Sequence, residues 1–108
     1  MRKGNVYIND SLCGSIVQDD SGFRFSYRRE WFTNPDNQPV SLTLPVREEP
    51  YVSNILFPFF DGLIPEGYLL EVAIAKFGLR ANDRMGLLLK TCQNAIGCVS
   101  VVEAKEDD

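Results

Sequence analysis

The sequence predicts an α+β domain: a small, mainly antiparallel sheet with two main helices packed on it. Three observations carry this expectation. In the first half, apolar residues recur at every second position, as in Phe23, Phe25 and Tyr27, which alternate with Arg24, Ser26 and Arg28. From Asn54 onward the period lengthens, and Leu69, Leu70, Ala73, Ile74 and Phe77 form one stripe on a helical wheel of about 100° per residue. Beyond the helical stretch, Cys98 to Glu103 is β-rich again and reads as a strand that returns to the sheet. Strands, then helices, then one strand make an α+β layer. With 108 residues the chain is one domain, residues 1–103, followed by a charged tail, residues 104–108.

Taken in order, Val6-Tyr7-Ile8 is a short strand, and Asn9-Asp10 is a turn signal. Leu12 to Val17 is the next strand, with Gly14 as a bulge position. Asp19-Asp20-Ser21-Gly22 turns into the aromatic strand, which completes an antiparallel meander. Glu30-Trp31-Phe32 suggests a helical turn, and Thr33 to Pro39 a polar loop. Val40, Leu42 and Leu44 alternate as in a strand that Pro45 ends, and Arg47 to Pro50 is a second loop. Pro65 suits the first turn of the main helix and Glu66 its positive N-terminal end, while Gly78 stops it after Phe77. A second helix has Asn82 or Asp83 near its cap and Met85, Leu88, Leu89 and Cys92 at helical spacing.

Composition excludes much of catalytic chemistry. There is no histidine, so Ser/His/Asp and Cys/His arrangements cannot form within the chain. The eight glycines are scattered and form no phosphate-binding loop. The acidic pairs Asp19-Asp20 and Glu48-Glu49 fall in loops and read as solvated surface acids. Cys13, Cys92 and Cys98 form no C-x-x-C pair and read as small buried apolar residues of a reducing compartment. Neither a bilayer-spanning apolar run nor a signal-peptide core is present, so a cytoplasmic protein with no membrane contact, cofactor or metal is expected. The formal net charge of −4 disfavours nucleic acid as the main partner.

Two features bear on binding. The stretch Gly22 to Tyr27, with Arg28 and Arg29 beyond it, has the basic-aromatic character of a base-stacking strand. The same alternation also describes an amphipathic strand whose rings face the core, and the acidic charge favours that reading. Tyr68 lies almost opposite the apolar stripe, sharing its face with Glu71 and Ala75. It is either a partner anchor, a role in which tyrosine is enriched, or a surface tyrosine lying along its neighbours. The partner-binding candidates are Tyr68 with Ile64, Pro65, Glu66, Gly67 and Glu71.

The stretch Phe59-Phe60-Asp61-Gly62-Leu63-Ile64-Pro65-Glu66-Gly67 also supports a resemblance. Read with the strand pair around Gly14, then Phe23, Phe25, Tyr27 and Trp31, the chain resembles the N-terminal subdomain of HipA-type toxin kinases. Val40 to Pro45 is similar to that family's P-x-S-x-S-L-P strand, and Phe59 to Gly67 to its F-F-x-N-L-L-P-E-G signature. Leu87-Leu88-Leu89 lies in the second helix, and Asn94-Ala95-Ile96-Gly97-Cys98-Val99 is similar to a D-x-x-G-A-V turn and strand. Gly62, Asn94 and Cys98 depart from the usual asparagine, aspartate and alanine.

The resemblance implies a fold and a class of partner. In the full kinases this segment precedes the ATP-binding and catalytic portions, and a chain that stops after the returning strand resembles HipS of three-component HipBST toxin–antitoxin modules. It implies a non-catalytic antitoxin that binds and neutralises a HipT/HipA-like Ser/Thr kinase lacking its own N-terminal subdomain. A HipB-like helix-turn-helix protein would join in a ternary complex. An obligatory positive subunit that completes a split kinase is the alternative, and a nucleic-acid-binding module a more distant one.

Overall fold

The computed structural model describes residues 1–93 and 98–104. Five strands and four helices follow one another as β1 Arg2–Ile8, β2 Ser11–Asp19, β3 Gly22–Tyr27, α1 Arg29–Phe32, β4 Tyr51–Ser53, α2 Pro58–Asp61, α3 Gly67–Phe77, α4 Arg84–Thr91 and β5 Val99–Glu103. The strands form one sheet in the order β4-β3-β2-β1-β5, with every neighbouring pair antiparallel. The fold is the expected small α+β domain.

The meander follows from its turns. Asn9 and Asp10 both take positive φ, 48° and 71°, as a two-residue hairpin with the right twist requires. In the next turn the Asp19 carboxylate accepts the Ser21 amide at 2.8 Å. The register shifts where Val6 pairs Gly14 and Tyr7 pairs Leu12, so Cys13 is the extra residue of a bulge beside Gly14. A side chain at position 14 would place its Cβ 2.3 Å from the Ser26 carbonyl oxygen, so only glycine lets β3 lie this close.

Alternation then builds the core. Val6, Ile8, Ile16, Phe23, Phe25, Tyr27, Val99 and Val101 are all buried. The Phe25 ring meets Tyr27 edge-on at 4.8 Å and Phe60 at 5.2 Å, which locks the FF stretch onto the sheet. Over them lies α4, in which Met85, Gly86, Leu87, Leu88 and Leu89 are buried without interruption. Its start is held from two sides. The Asp83 side chain accepts the Gly86 amide at 3.1 Å and receives Arg2 of β1 at 2.8 and 3.2 Å. Arg84 donates to Asp61 of α2 at 2.6 Å.

Three expectations need correction. Val40 to Leu44 is not a strand: Val40 and Leu44 are buried but Leu42 points to solvent, and only an isolated Ser41–Leu44 bridge forms. Prolines at 39 and 45 bracket the segment, and the Ser41 hydroxyl accepts the Thr43 amide at 3.2 Å, so local bonds replace a ladder. The strand that pairs with β3 is instead β4, between the Arg47–Pro50 loop and the helical stretch, where the sequence predicts no element. Second, Pro65 is not in the first turn of α3, which starts at Gly67; Glu66 is its extended N-cap residue and makes no capping bond. The proline that does open a helix is Pro58, at the start of α2. Third, Cys98 is exposed rather than buried. It stands before β5 begins, where alternation does not yet hold it.

The turn expected at residues 94–97 and most of the tail lie outside the described residues. Ala104, the first residue of that tail, is still bound, donating its amide to the Lys3 carbonyl at 2.9 Å.

Candidate protein-binding face

The segment that leads into α3 is set by short-range bonds. The Leu63 and Ile64 amides donate to the carbonyls of Phe60 and Asp61, at 3.0 and 3.2 Å. That drives Ile64 into the core, where it is 2% exposed. Ile64 therefore leaves the set of candidate contact residues. Pro65 is half-buried, whereas Glu66, Gly67 and Glu71 are exposed. At Gly67 the backbone takes φ 61°, a conformation a side chain disfavours, and this bend redirects the chain into the helix. Eleven residues later it ends in the left-handed conformation at Gly78, as its sequence predicts.

Between those two glycines α3 is little buried: Ala73 is its only buried residue. Leu70 and Ile74 are half-buried and pack at the core margin. Tyr68 is 76% exposed, on the outer side where the wheel places it. Leu69 and Phe77, both expected in the inward stripe, are 64% and 38% exposed, and Val72 is 42% exposed. The reason is geometric. Leu69 sits about 100° from both Tyr68 and Leu70, at the edge of the stripe, while α3 meets the core along the line of Leu70, Ala73 and Ile74. The outer side of the helix thus presents Tyr68, Leu69 and Val72 together, with the exposed charged residues Glu71 and Lys76 beside them.

The remaining sequence candidates are placed elsewhere. Phe23, Phe25 and Tyr27 are buried, so their rings have no face open for base stacking. Asp19 lies 3.5 Å from Arg24, an exposed ion pair, and Glu48 and Glu49 are solvated. Burial pushes the Cys13 thiol up to about 12 and the Cys92 thiol upward as well, which makes both poor nucleophiles. Among the described residues no group of three or more Cys, Asp or Glu could hold a metal ion, and no helix is long and apolar enough to cross a membrane. Leu42, 92% exposed at the tip of its turn, was hidden by the strand reading. The flanking prolines and the Ser-x-Thr spacing were the signal for it.

Comparison with known proteins agrees with this architecture. A profile described as "HipA N-terminal domain" matches residues 4–102. The chain belongs to the HipA N-terminal domain family. The solved N-terminal domain of HipA toxin superposes with a TM-score of 0.69 at 31% identity, over 98% of this chain and 95% of that one. An "Uncharacterized protein" of Haemophilus influenzae is 34% identical over 98% of this chain and 96% of its own length. The "Putative kinase Y4mE" of Sinorhizobium fredii is 27% identical over 95% of this chain, which spans 25% of that kinase. This HipA N-terminal domain is thus similar both to a chain of its own size and to one quarter of a much longer one.

Proposed function

We propose that the chain is a non-catalytic protein-binding domain that binds and neutralises a HipA/HipT-type Ser/Thr kinase lacking its own copy of this domain. The observation that carries the reading is α3. A helix that buries one alanine while presenting Tyr68, Leu69 and Val72 to solvent has a surface suited to a partner. Its membership of a family that also occurs as part of a putative kinase supplies the kind of partner. A domain that packs on a kinase when part of the same chain keeps a complementary face when separate. Bound in trans, it would favour one lobe arrangement and obstruct closure around ATP or substrate. Such a complex would act in the cytoplasm, with a HipB-like helix-turn-helix protein as its third member.

The test is autophosphorylation by such a kinase with and without the chain. Inhibition at stoichiometric ratio is expected, together with rescue of cells that express the kinase. A second reading, an obligatory positive subunit, is favoured by the match to a segment inside a putative kinase. It requires the opposite result: a kinase inactive alone and active when the chain is added. The chain by itself is expected to transfer no phosphate, because it has no phosphate cradle.

A further inference from the structure

We infer that the outer face of α3 is a contact between two copies of this chain, which pair helix to helix, in parallel, about a two-fold axis. The inference does not rest on the kinase reading. Its basis is the order of residues along the face. Tyr68, Val72 and Ala75 are all exposed and follow one another at steps of four and three, so they make one stripe along α3. That is the spacing of a seam between two helices, with the β-branched Val72 at its middle. On a wheel of about 100° per residue, Glu71 and Lys76 flank the stripe on opposite sides, each about 70° from its centre. Both are exposed, and neither forms an ion pair among the described residues. The Lys76 ammonium only leans over Phe77, 5.4 Å from the centre of its ring.

Charge selects both the occupant and its direction. When two identical helices meet in parallel about a two-fold axis, opposite flanks face each other, and a residue on one flank meets the residue five further on in the other copy. Glu71 and Lys76 have that spacing. Each copy's Glu71 therefore meets the other copy's Lys76, and the symmetry makes the pair twice. In an antiparallel pair like flanks face each other, which sets the two Glu71 carboxylates on one side and the two Lys76 ammonium groups on the other. A convex helix face encloses no small molecule. The stripe is also short. Tyr68, Val72 and Ala75, with Leu69 beside Lys76, offer less than the roughly 800 Å² that each partner of a stable interface gives up. The dimer is therefore weak and reversible, and any other partner of α3 competes with it by mass action.

The experiment is sedimentation equilibrium of the purified chain from about 1 μM to about 1 mM, the range of a weak contact, with melting temperatures measured alongside. The wild type should pass from monomer to dimer within it. Val72→Glu, which sets two like charges at the middle of the seam, should melt nearly as the wild type does and stay monomeric. Glu71→Lys and Lys76→Glu should each weaken the dimer about 10-fold, because both symmetry-related pairs become repulsive. The variant carrying both changes should dimerise as the wild type does. That recovery is a readout that damage to the helix would not give, and it decides the matter even if Val72→Glu folds poorly. A wild-type chain that stays monomeric throughout overturns the inference and leaves the kinase reading to its own test. A dimer that survives in a folded Val72→Glu variant overturns it too, since the contact is then elsewhere. Charge reversals without effect mean that the helices do not meet in parallel, which equally overturns it.

Discussion

α3 and α4 differ in a way that composition does not foretell: the more apolar of the two is the less buried. Each is an apolar helix joined to the other by a short polar connection. In α4 five consecutive residues, Met85 to Leu89, are buried, so the helix is apolar on every side that matters and its two ends are pinned by Asp83 and by the sheet. In α3 one alanine is buried and four large side chains, Tyr68, Leu69, Val72 and Phe77, face water. The more apolar helix is thus the less buried: the apolar residues of α4 hold the domain together, whereas much of the apolar surface of α3 stays uncovered. Apolar content alone does not tell the two apart; the number of faces that find cover does.

The sharpest way to break this contrast is to truncate a leucine in each helix. Leu88→Ala should cost about 3 kcal/mol of folding stability in urea denaturation, because it leaves a cavity in a packed interior. Leu69→Ala should cost less than about 0.5 kcal/mol. Equal costs would mean that α3 is a core helix after all.

The next effect belongs to the partner. Tyr68→Ala should weaken kinase binding by about 2 kcal/mol and leave stability within about 1 kcal/mol; co-expressed kinase should then regain toxicity. A folded variant with unchanged affinity would move the interface off α3.

A third measurement concerns how α4 is pinned. Asp83→Ala should lose about 1 kcal/mol by removing the cap. Hydrogen bonding from Arg2 holds the Asp83 carboxyl below its ordinary value. A carboxylate depressed by folding stabilises the fold above its unfolded pKa, and that contribution is lost as pH falls through the folded one. The wild type's lead over the Asp83→Ala variant should therefore shrink when denaturation midpoints are compared at neutral and strongly acidic pH. A constant gap would show that the carboxylate contributes no charge-dependent stability.

The smallest effect is chemical. With Cys13 and Cys92 buried and Cys98 exposed, a thiol reagent should label one cysteine quickly in the native chain and all three after unfolding. Rapid labelling of Cys92 would mean that α4 opens more easily than its burial implies.

The sheet was largely legible in the sequence because period-two alternation and paired turn residues report directly on a strand with one covered face. Phe23, Phe25 and Tyr27 are the clearest case. Gly14 was legible for a different reason, since an isolated glycine inside a strand marks close backbone approach. The segment from 40 to 44 misled because Val40, Leu42 and Leu44 alternate as a strand does; local bonds of Ser41 and Thr43, together with the hydroxyl of Tyr27 from a distant strand, turn it into a loop. β4 was missed because three residues are too short to show a period. In the candidate face, the direction of Tyr68 followed from the wheel, whereas the exposure of Leu69 depends on how far α3 leans on its neighbour. Ile64 shows the converse, a residue taken for surface that a tight bend folds inward.

The pairing of β1 with β5 has a mechanical consequence. Gly4 lies opposite Glu103, and Ala104 still bonds to Lys3, so the first and last strands leave the sheet side by side at the same end. A pull applied beyond Ala104 meets this ladder end-on and strains one hydrogen bond at a time, instead of shearing the whole row together. As β5 peels away it also takes the Val101 amide from the Cys92 carbonyl, a 2.9 Å bond at the end of α4. The domain resists heat through its interior, but a machine that grips the C-terminus would find a zipper that opens from its last tooth.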